Sequence, residues 1–304
     1  MVVLKLFKFL GYSARTSQAI ELSKMGKKSS TQKTIDYVTR YWFELYGTDE
    51  PPSERKALEY IEKARTKGHS NKTIHKTLIT LRSIFRTTGN AGAFEKAISL
   101  VRVNHFRAER RRTEMIPFSE VMQLVNSPNG ETADGKRDRA LLALLIGGGL
   151  RVGEVLLLRV GDVCLSREGT LYVELRDTKN GESTQQAISE QFAPLIKEFV
   201  DLRWSEGAEP GAVLITGYKN GRATGKVLGR RWVSRKFEDY AKSCGLEGVS
   251  THSCRRTAIT KLLSDGLTYR EVQEFSRHRS VRMVEVYDKR RFEIDGSPAK
   301  KLRF

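Results

Sequence analysis

The sequence predicts a mainly helical protein with a small antiparallel β-sheet, arranged as two domains. Three observations predict it. The first hundred residues carry apolar side chains at three- and four-residue intervals, the period of an amphipathic helix. One region, "TLYVELRDTKNGESTQQAIS", reads as two strands around Asn180-Gly181, the dipeptide that favours a type I′ hairpin turn. A chain of 304 residues is also long enough for two separate cores.

The elements follow in order. "MVVLKLFKFLGYSA" begins like a secretion signal, but Lys5 and Lys8 interrupt its apolar run and no small-x-small cleavage site follows, so a short amphipathic element is expected. "SSTQKTIDYVTRYWFELYG" has a Ser/Thr start, Ile35, Val38, Trp42 and Leu45 on one stripe, and Gly47 as a stop. "SERKALEYIEKARTKG" repeats that grammar, with Ser53 as cap, Lys56 where a capping box places an acid, and Gly68 at the end. In "SNKTIHKTLITLRSIFRTTGN" the stripe is Ile74, Leu78, Leu81 and Phe85, and the basic residues of all three helices fall on solvated faces. "VNHFRAERRRTEMIPFSE" then breaks the periodicity. Its run of Arg107, Arg110, Arg111 and Arg112 before Pro117 marks a basic linker over 104–116, which is either a solvated connector or a phosphate-facing one.

Beyond the linker the elements mix. "RDRALLALLIGGG" is a strongly apolar helix, and "RVGEVLLLRVGDV" starts another after the glycine turn. After the hairpin come helices over 230–244, 252–265 and 269–288, the last with a break. There is no internal repeat.

Composition narrows the function. The chain carries 54 Lys and Arg against 36 Asp and Glu, a net charge of +18. An excess of this size favours a polyanion, because each cation near a phosphate releases condensed counterions. Cys164, Cys244 and Cys254 are scattered, in no C-x-x-C pair, which argues for a reducing compartment and against a disulfide framework or zinc site. No apolar run reaches the roughly 18 residues of a membrane span. The expectation is a cytoplasmic protein with no membrane, metal or cofactor.

Five places can carry chemistry. Arg151 follows Gly147, Gly148 and Gly149 at a helix start, where the helix end is already partly positive; either an anion sits there or Glu154, three residues on, pairs with it. Lys179 stands at the hairpin tip, either as a solubilising charge or as a mobile proton donor. His252 and Arg255, at i and i+3, share a helix face and can address one anion, while Arg256 points about 100° away. His offers a proton-transfer group near neutral pH, and Arg a fixed fork of donors. His278 precedes Tyr287 by nine residues, in a segment rich in Arg and Lys.

The order Arg, Lys, His-x-x-Arg, His, Tyr resembles the catalytic domain of the tyrosine recombinases, the phage-integrase family. "GLRVGEVLLLRVGDV" is similar to its first arginine box, "THSCRRTAIT" to its H-x-x-R box, and "RHRSVRMVEVY" to its His-to-Tyr segment. The chain departs from the pattern at Ser276-Arg277, where the family has Leu-Gly, and at Cys254, where Leu is common. Neither change removes a reacting group, so both are read as changes of packing.

The resemblance implies a helical core-DNA-binding domain over 1–103, a basic linker over 104–116 and an α+β catalytic domain over 117–304. It implies Tyr287 as the nucleophile forming a 3′-phosphotyrosyl link, Arg151 and Arg255 as charge stabilisers and Lys179 as acid. His252 would help deprotonate Tyr287, His278 would bond the phosphate, and Glu154 would orient a basic partner. The implied partners are double-stranded DNA and further copies of the chain, as a tetramer on two DNA sites, with the tail after Tyr287 available to dock on a neighbour. Neither metal nor ATP is implied. The chain also looks too short for an additional arm-binding module. A type IB topoisomerase-like nicking-closing enzyme, or an inactive DNA-binding regulator on the same fold, are the alternatives.

Overall fold

A computed structural model describes residues 30–47, 51–86, 89–101, 114–176 and 183–288. The chain divides into two units, Met1–Glu109 and Arg110–Phe304. The amphipathic start, the arginine run 107–112, Lys179 and the tail after Asp288 lie outside the described residues.

The first unit is built from α1 (Ser30–Tyr46), α2 (Glu54–Thr66), α3 (Asn71–Phe85) and α4 (Glu95–Leu100), the last entered through a 3₁₀ turn, Ala91–Phe94. The helix starts follow local chemistry. The Ser53 and Ser70 hydroxyls accept from the backbone N–H of Lys56 and Thr73, satisfying one orphan donor at each N-terminus. Gly47 and Gly68 end their helices at φ +71° and +74°, a conformation other residues adopt at a cost. The stripe Ile74, Leu78, Leu81 and Phe85 is buried throughout, and Val38 and Trp42 meet it. Trp42, Phe85 and Phe94 pack edge-to-face and stacked at 5.3–6.4 Å between ring centroids, the geometry in which aromatic quadrupoles attract.

The second unit contains α5 (Val121–Asn126), α6 (Ala133–Gly147), α7 (Val152–Val155), β1 (Val163–Leu165), β2 (Leu171–Leu175), β3 (Thr184–Ala187), α8 (Ala193–Ser205), β4 (Thr216–Lys219), β5 (Arg222–Val227), α9 (Arg230–Ser243), α10 (Thr251–Ser264), α11 (Tyr269–Ser276) and α12 (Val281–Glu285). Helix α6 is buried on every side from Ala140 onward and packs on α8 and α10. Such all-round apolarity fits only a central position. At its head, buried Arg137 bonds Asp138 at 2.8 Å, lies over Trp232 of α9 at 4.8 Å, and donates to the Thr216 carbonyl of β4. Tyr240 of α9 completes this network by donating to Asp138 at 2.7 Å.

Strands β1, β2 and β3 form an antiparallel sheet, with Val163 opposite Val173 and Leu175 opposite Thr184. Leu171, Val173 and Leu175 alternate into the core, as period-two patterning requires. A second hairpin, β4–β5, turns at Asn220-Gly221, both at positive φ.

Two expectations need adjustment. "RVGEVLLLRVGDV" starts a helix as expected, but that helix is only the single turn of α7, followed by a 3₁₀ turn, Val160–Asp162. The backbone leaves the helix because Leu158 and Val160 exchange hydrogen bonds with the segment 212–214. Residues 114–116, placed in the linker by the sequence, are anchored in the second unit. The N–H of Glu114 donates to Gly248, and that of buried Ile116 to the Thr257 hydroxyl.

Candidate active site

The site begins where α6 stops. Gly149 sits at φ +57° with the Phe275 ring against its α-carbon; a β-carbon there would fall 2.8 Å from the ring. Glycine is required on both counts, and the turn is packed rather than loose. Its carbonyl accepts a 2.5 Å bond from Nη1 of Arg255, whose Nη2 donates to the carbonyl of Ser276 at the end of α11. Arg255 is thus a buried cation held between the C-terminal ends of two helices, where the backbone dipoles are negative.

One turn earlier on α10, Ser250 caps the helix: its hydroxyl accepts from His252 N–H and its own N–H donates to Ser253. The cap places His252 on the same face as Arg255, with part of its side chain open to solvent and the rest packed against the site. Arg151, at the N-cap of α7, donates through Nη1 to Oε1 of Glu154 and through its backbone N–H to Oε2, each at 2.8 Å. The pairing the spacing offered is therefore made, yet 47% of the Arg151 side chain stays accessible to a ligand.

His278 is buried, with Nδ1 2.9 Å from the Ser276 hydroxyl and its carbonyl accepting from Gln273. Its ring lies parallel to that of Tyr287. Tyr287 is partly buried beside a small cluster of Ile259, Leu263, Val272 and Val284. Of the valines around it only Val284 is buried; Val286 faces solvent.

These groups feel one another. Burial, then the charges of Arg151 and Arg277, pull the Arg255 guanidinium down to about 10, with Glu154 and Tyr287 acting the other way. Burial and the charges of Arg255, Arg151, His252 and Arg277 pull His278 down to about 4, so its imidazole is neutral at pH 7. His252 is lowered by burial, then by Arg255, Arg151 and Arg256. Burial raises the Glu154 carboxyl, but the Arg151 N–H and the charges of Arg277 and Arg151 more than offset it, leaving it below its usual value. Three guanidiniums here face one carboxylate. The cluster carries an excess of positive charge, which favours an anion beside it. Among the described residues, no group of three or more His, Cys, Asp and Glu is placed to hold a metal.

A model of the phage integrase family matches residues 114–293. The chain belongs to that family. As a tyrosine recombinase it is 30% identical to a tyrosine recombinase of Synechococcus elongatus, over 84% of this chain and 78% of that one. It is 28% identical to XerC of Thermodesulfovibrio yellowstonii, over 75% and 74% of the two chains. The Tn1549 transposon integrase, solved with circular intermediate DNA, shares the fold at a TM-score of 0.66 and 18% identity, covering 98% of this chain and 99% of that one. A lambda integrase dimer bound to a core site does so at 0.61 and 17%, covering 96% and 82%.

In this recombinase, Arg151, Glu154, His252, Arg255, His278 and Tyr287 are linked by hydrogen bonds, a ring contact and mutual electrostatic influence. Two further residues join them that sequence reasoning assigned to packing. Ser276 holds both Arg255 and His278. Arg277 reaches Oε2 of Glu154 at 2.8 Å. The signal for both was the departure from Leu-Gly before the late histidine. Cys254, the other departure, is a core residue whose thiol is pushed upward by burial.

Proposed function

We propose that this recombinase cleaves and rejoins duplex DNA at specific sites through a covalent 3′-phosphotyrosyl intermediate. The Tyr287 oxygen attacks the scissile phosphorus, the P–O5′ bond breaks, and the leaving 5′-oxygen takes a proton. The new ester conserves the energy of the bond it replaces, so religation runs the same step backwards without a nucleotide. The observation that carries the reading is the placement of Tyr287 against His278, whose imidazole feels the charges of Arg151, Arg255 and Arg277.

Each group has a part. Arg151 and Arg255 offset the charge that grows on the non-bridging oxygens, as a metal or an arginine finger does in other phosphoryl transfers. Neutral His278 donates to the phosphate, and His252 accepts the phenolic proton, which tyrosine otherwise holds up to about pH 10. Lys179, which falls between β2 and β3 in the sequence, protonates the leaving oxygen. Glu154 orients Arg151. The first and second units serve as core-DNA-binding and catalytic domains, and Arg107, Arg110, Arg111 and Arg112 of the basic stretch between them lie along phosphates, fixing position without reading sequence. The net charge of +18 supports a DNA partner. Strand exchange then takes a tetramer on two sites, in the cytoplasm.

The test is a suicide substrate: a nicked duplex carrying the sequence that the purified chain enriches from a randomised duplex pool. The wild-type chain becomes covalently trapped on it, while Tyr287→Phe binds and forms no adduct. An adduct without strand exchange between two duplexes points to nicking and closing only. Tight binding with no adduct from the wild type leaves an inactive regulator, and the proposal fails.

A further inference from the structure

Arg277 is in the wrong place for an ordinary surface arginine. It stands at φ +52°, ψ +40°, the left-handed cap that ends α11. Side chains with a β-carbon are disfavoured there, and glycine is the residue that ends helices this way at no cost. A chain selected for stability alone has no reason to keep an arginine at this position. Nor does the guanidinium go to water: only 14% of the side chain is exposed, and burial, countered in part by Glu154, lowers its affinity for its proton.

The geometry explains the cost. Nη2 of Arg277 donates to Oε2 of Glu154, the same oxygen that accepts the backbone N–H of Arg151, while Oε1 accepts Nη1 of Arg151. One carboxylate therefore clamps two guanidiniums from segments more than a hundred residues apart. Without Arg277, Glu154 would neutralise Arg151 alone, and a phosphate would have to compete with that pair. With Arg277 sharing the carboxylate, Arg151 keeps its orientation and more of its charge. The next residue is His278, so the same left-handed turn also sets the imidazole that stacks on Tyr287.

We propose that Arg277 is a positioning residue of the cleavage reaction, acting through Glu154 to hold Arg151 on the scissile phosphate. The inference rests on the phosphotyrosyl reading above. It predicts that Arg277 matters to the chemical step more than to DNA affinity or to folding.

The experiment is single-turnover adduct formation on the nicked suicide duplex described above, with wild type, Arg277→Gly, Arg277→Lys and Arg151→Ala, alongside thermal melting and duplex affinity for each. In Arg277→Gly the maximal rate falls about ten- to a hundredfold, the loss expected when a group at the reacting centre is misplaced by about an ångström. Its melting temperature holds or rises, because glycine suits the left-handed cap, and its half-saturating DNA concentration stays near that of the wild type. Arg277→Lys recovers part of the rate. Adding Arg277→Gly to Arg151→Ala brings little further loss, since the first acts through the second. A glycine variant that cleaves at the wild-type rate, or one whose defect is confined to affinity or melting, overturns the inference while leaving the phosphotyrosyl reading intact. Absence of any adduct from the wild type overturns both.

Discussion

The imidazole of His278 lies 15° from parallel to the phenol ring of Tyr287, with 5.8 Å between their centroids. The two residues are nine apart, and what brings them together is the anchorage of α12. Val284 is buried with Ile259, Leu263 and Val272, which sets the helix against α10 and α11. Beyond it, the Tyr269 hydroxyl donates at 2.8 Å to the buried carboxylate of Asp288. The candidate nucleophile is therefore held from both sides by its own chain.

That second anchor makes a prediction. Tyr269→Phe keeps the apolar ring and removes only the donor to Asp288. A hydrogen bond to a charged acceptor contributes about 1.5–3 kcal/mol, so the segment carrying Tyr287 loosens by that order. Adduct formation should slow about tenfold, while duplex affinity, measured by gel shift, changes less than about twofold. Unchanged cleavage would mean that the Tyr269–Asp288 bond does not hold the tyrosine.

The depressed affinity of His278 for protons gives a pH signature. Its value in the folded protein, about 4, lies below the unfolded value of about 6.5, so on acidification the unfolded chain takes the proton first. Stability is full above about pH 6.5 and declines as pH falls towards 4, by up to about 3 kcal/mol from this group. His252 adds in the same direction. Melting temperatures at pH 7 and pH 5 should differ less in His278→Gln than in the wild type. A phosphate bound beside these groups opposes the field of Arg151, Arg255 and Arg277, so DNA binding should raise the His278 value, which a ¹³C-labelled imidazole resonance would report.

Much of this was readable in the residues, and the limits are physical. The stripe Ile74, Leu78, Leu81 and Phe85 announces its burial because an amphipathic helix writes its core face at a fixed period. Ser53 announces its cap for a similarly local reason. The hairpin at Asn220-Gly221 carries the same dipeptide as the predicted one and still escapes, because β5 is mostly exposed and shows no apolar alternation. Helix α8 also escapes, although Pro194 in its first turn and Ile196, Phe199, Val200 and Arg203 at helical spacing carry the signal. The candidate site is legible as an order of residue types, since few side chains suit each step of phosphoryl transfer. Arg277 is not legible as part of it. Its meaning depends on a left-handed backbone angle and on a carboxylate 123 residues away, and neither has a local signature.

Arg255 separates shape from charge. Its two bonds, to the carbonyls of Gly149 and Ser276, diverge from one planar guanidinium and tie the turn after α6 to the end of α11. Lysine keeps the charge but has a single ammonium on a flexible stem, and cannot reproduce that planar fork. Arg255→Lys therefore leaves one buried carbonyl unsatisfied, at about 2 kcal/mol, which corresponds to a melting temperature lower by about 5 °C. Adduct formation should fall about a hundredfold, because the group proposed to offset charge on the phosphate is also displaced. If the lysine variant melts lower but cleaves at the wild-type rate, Arg255 serves the fold alone, and the phosphate must be held by Arg151 and the two histidines.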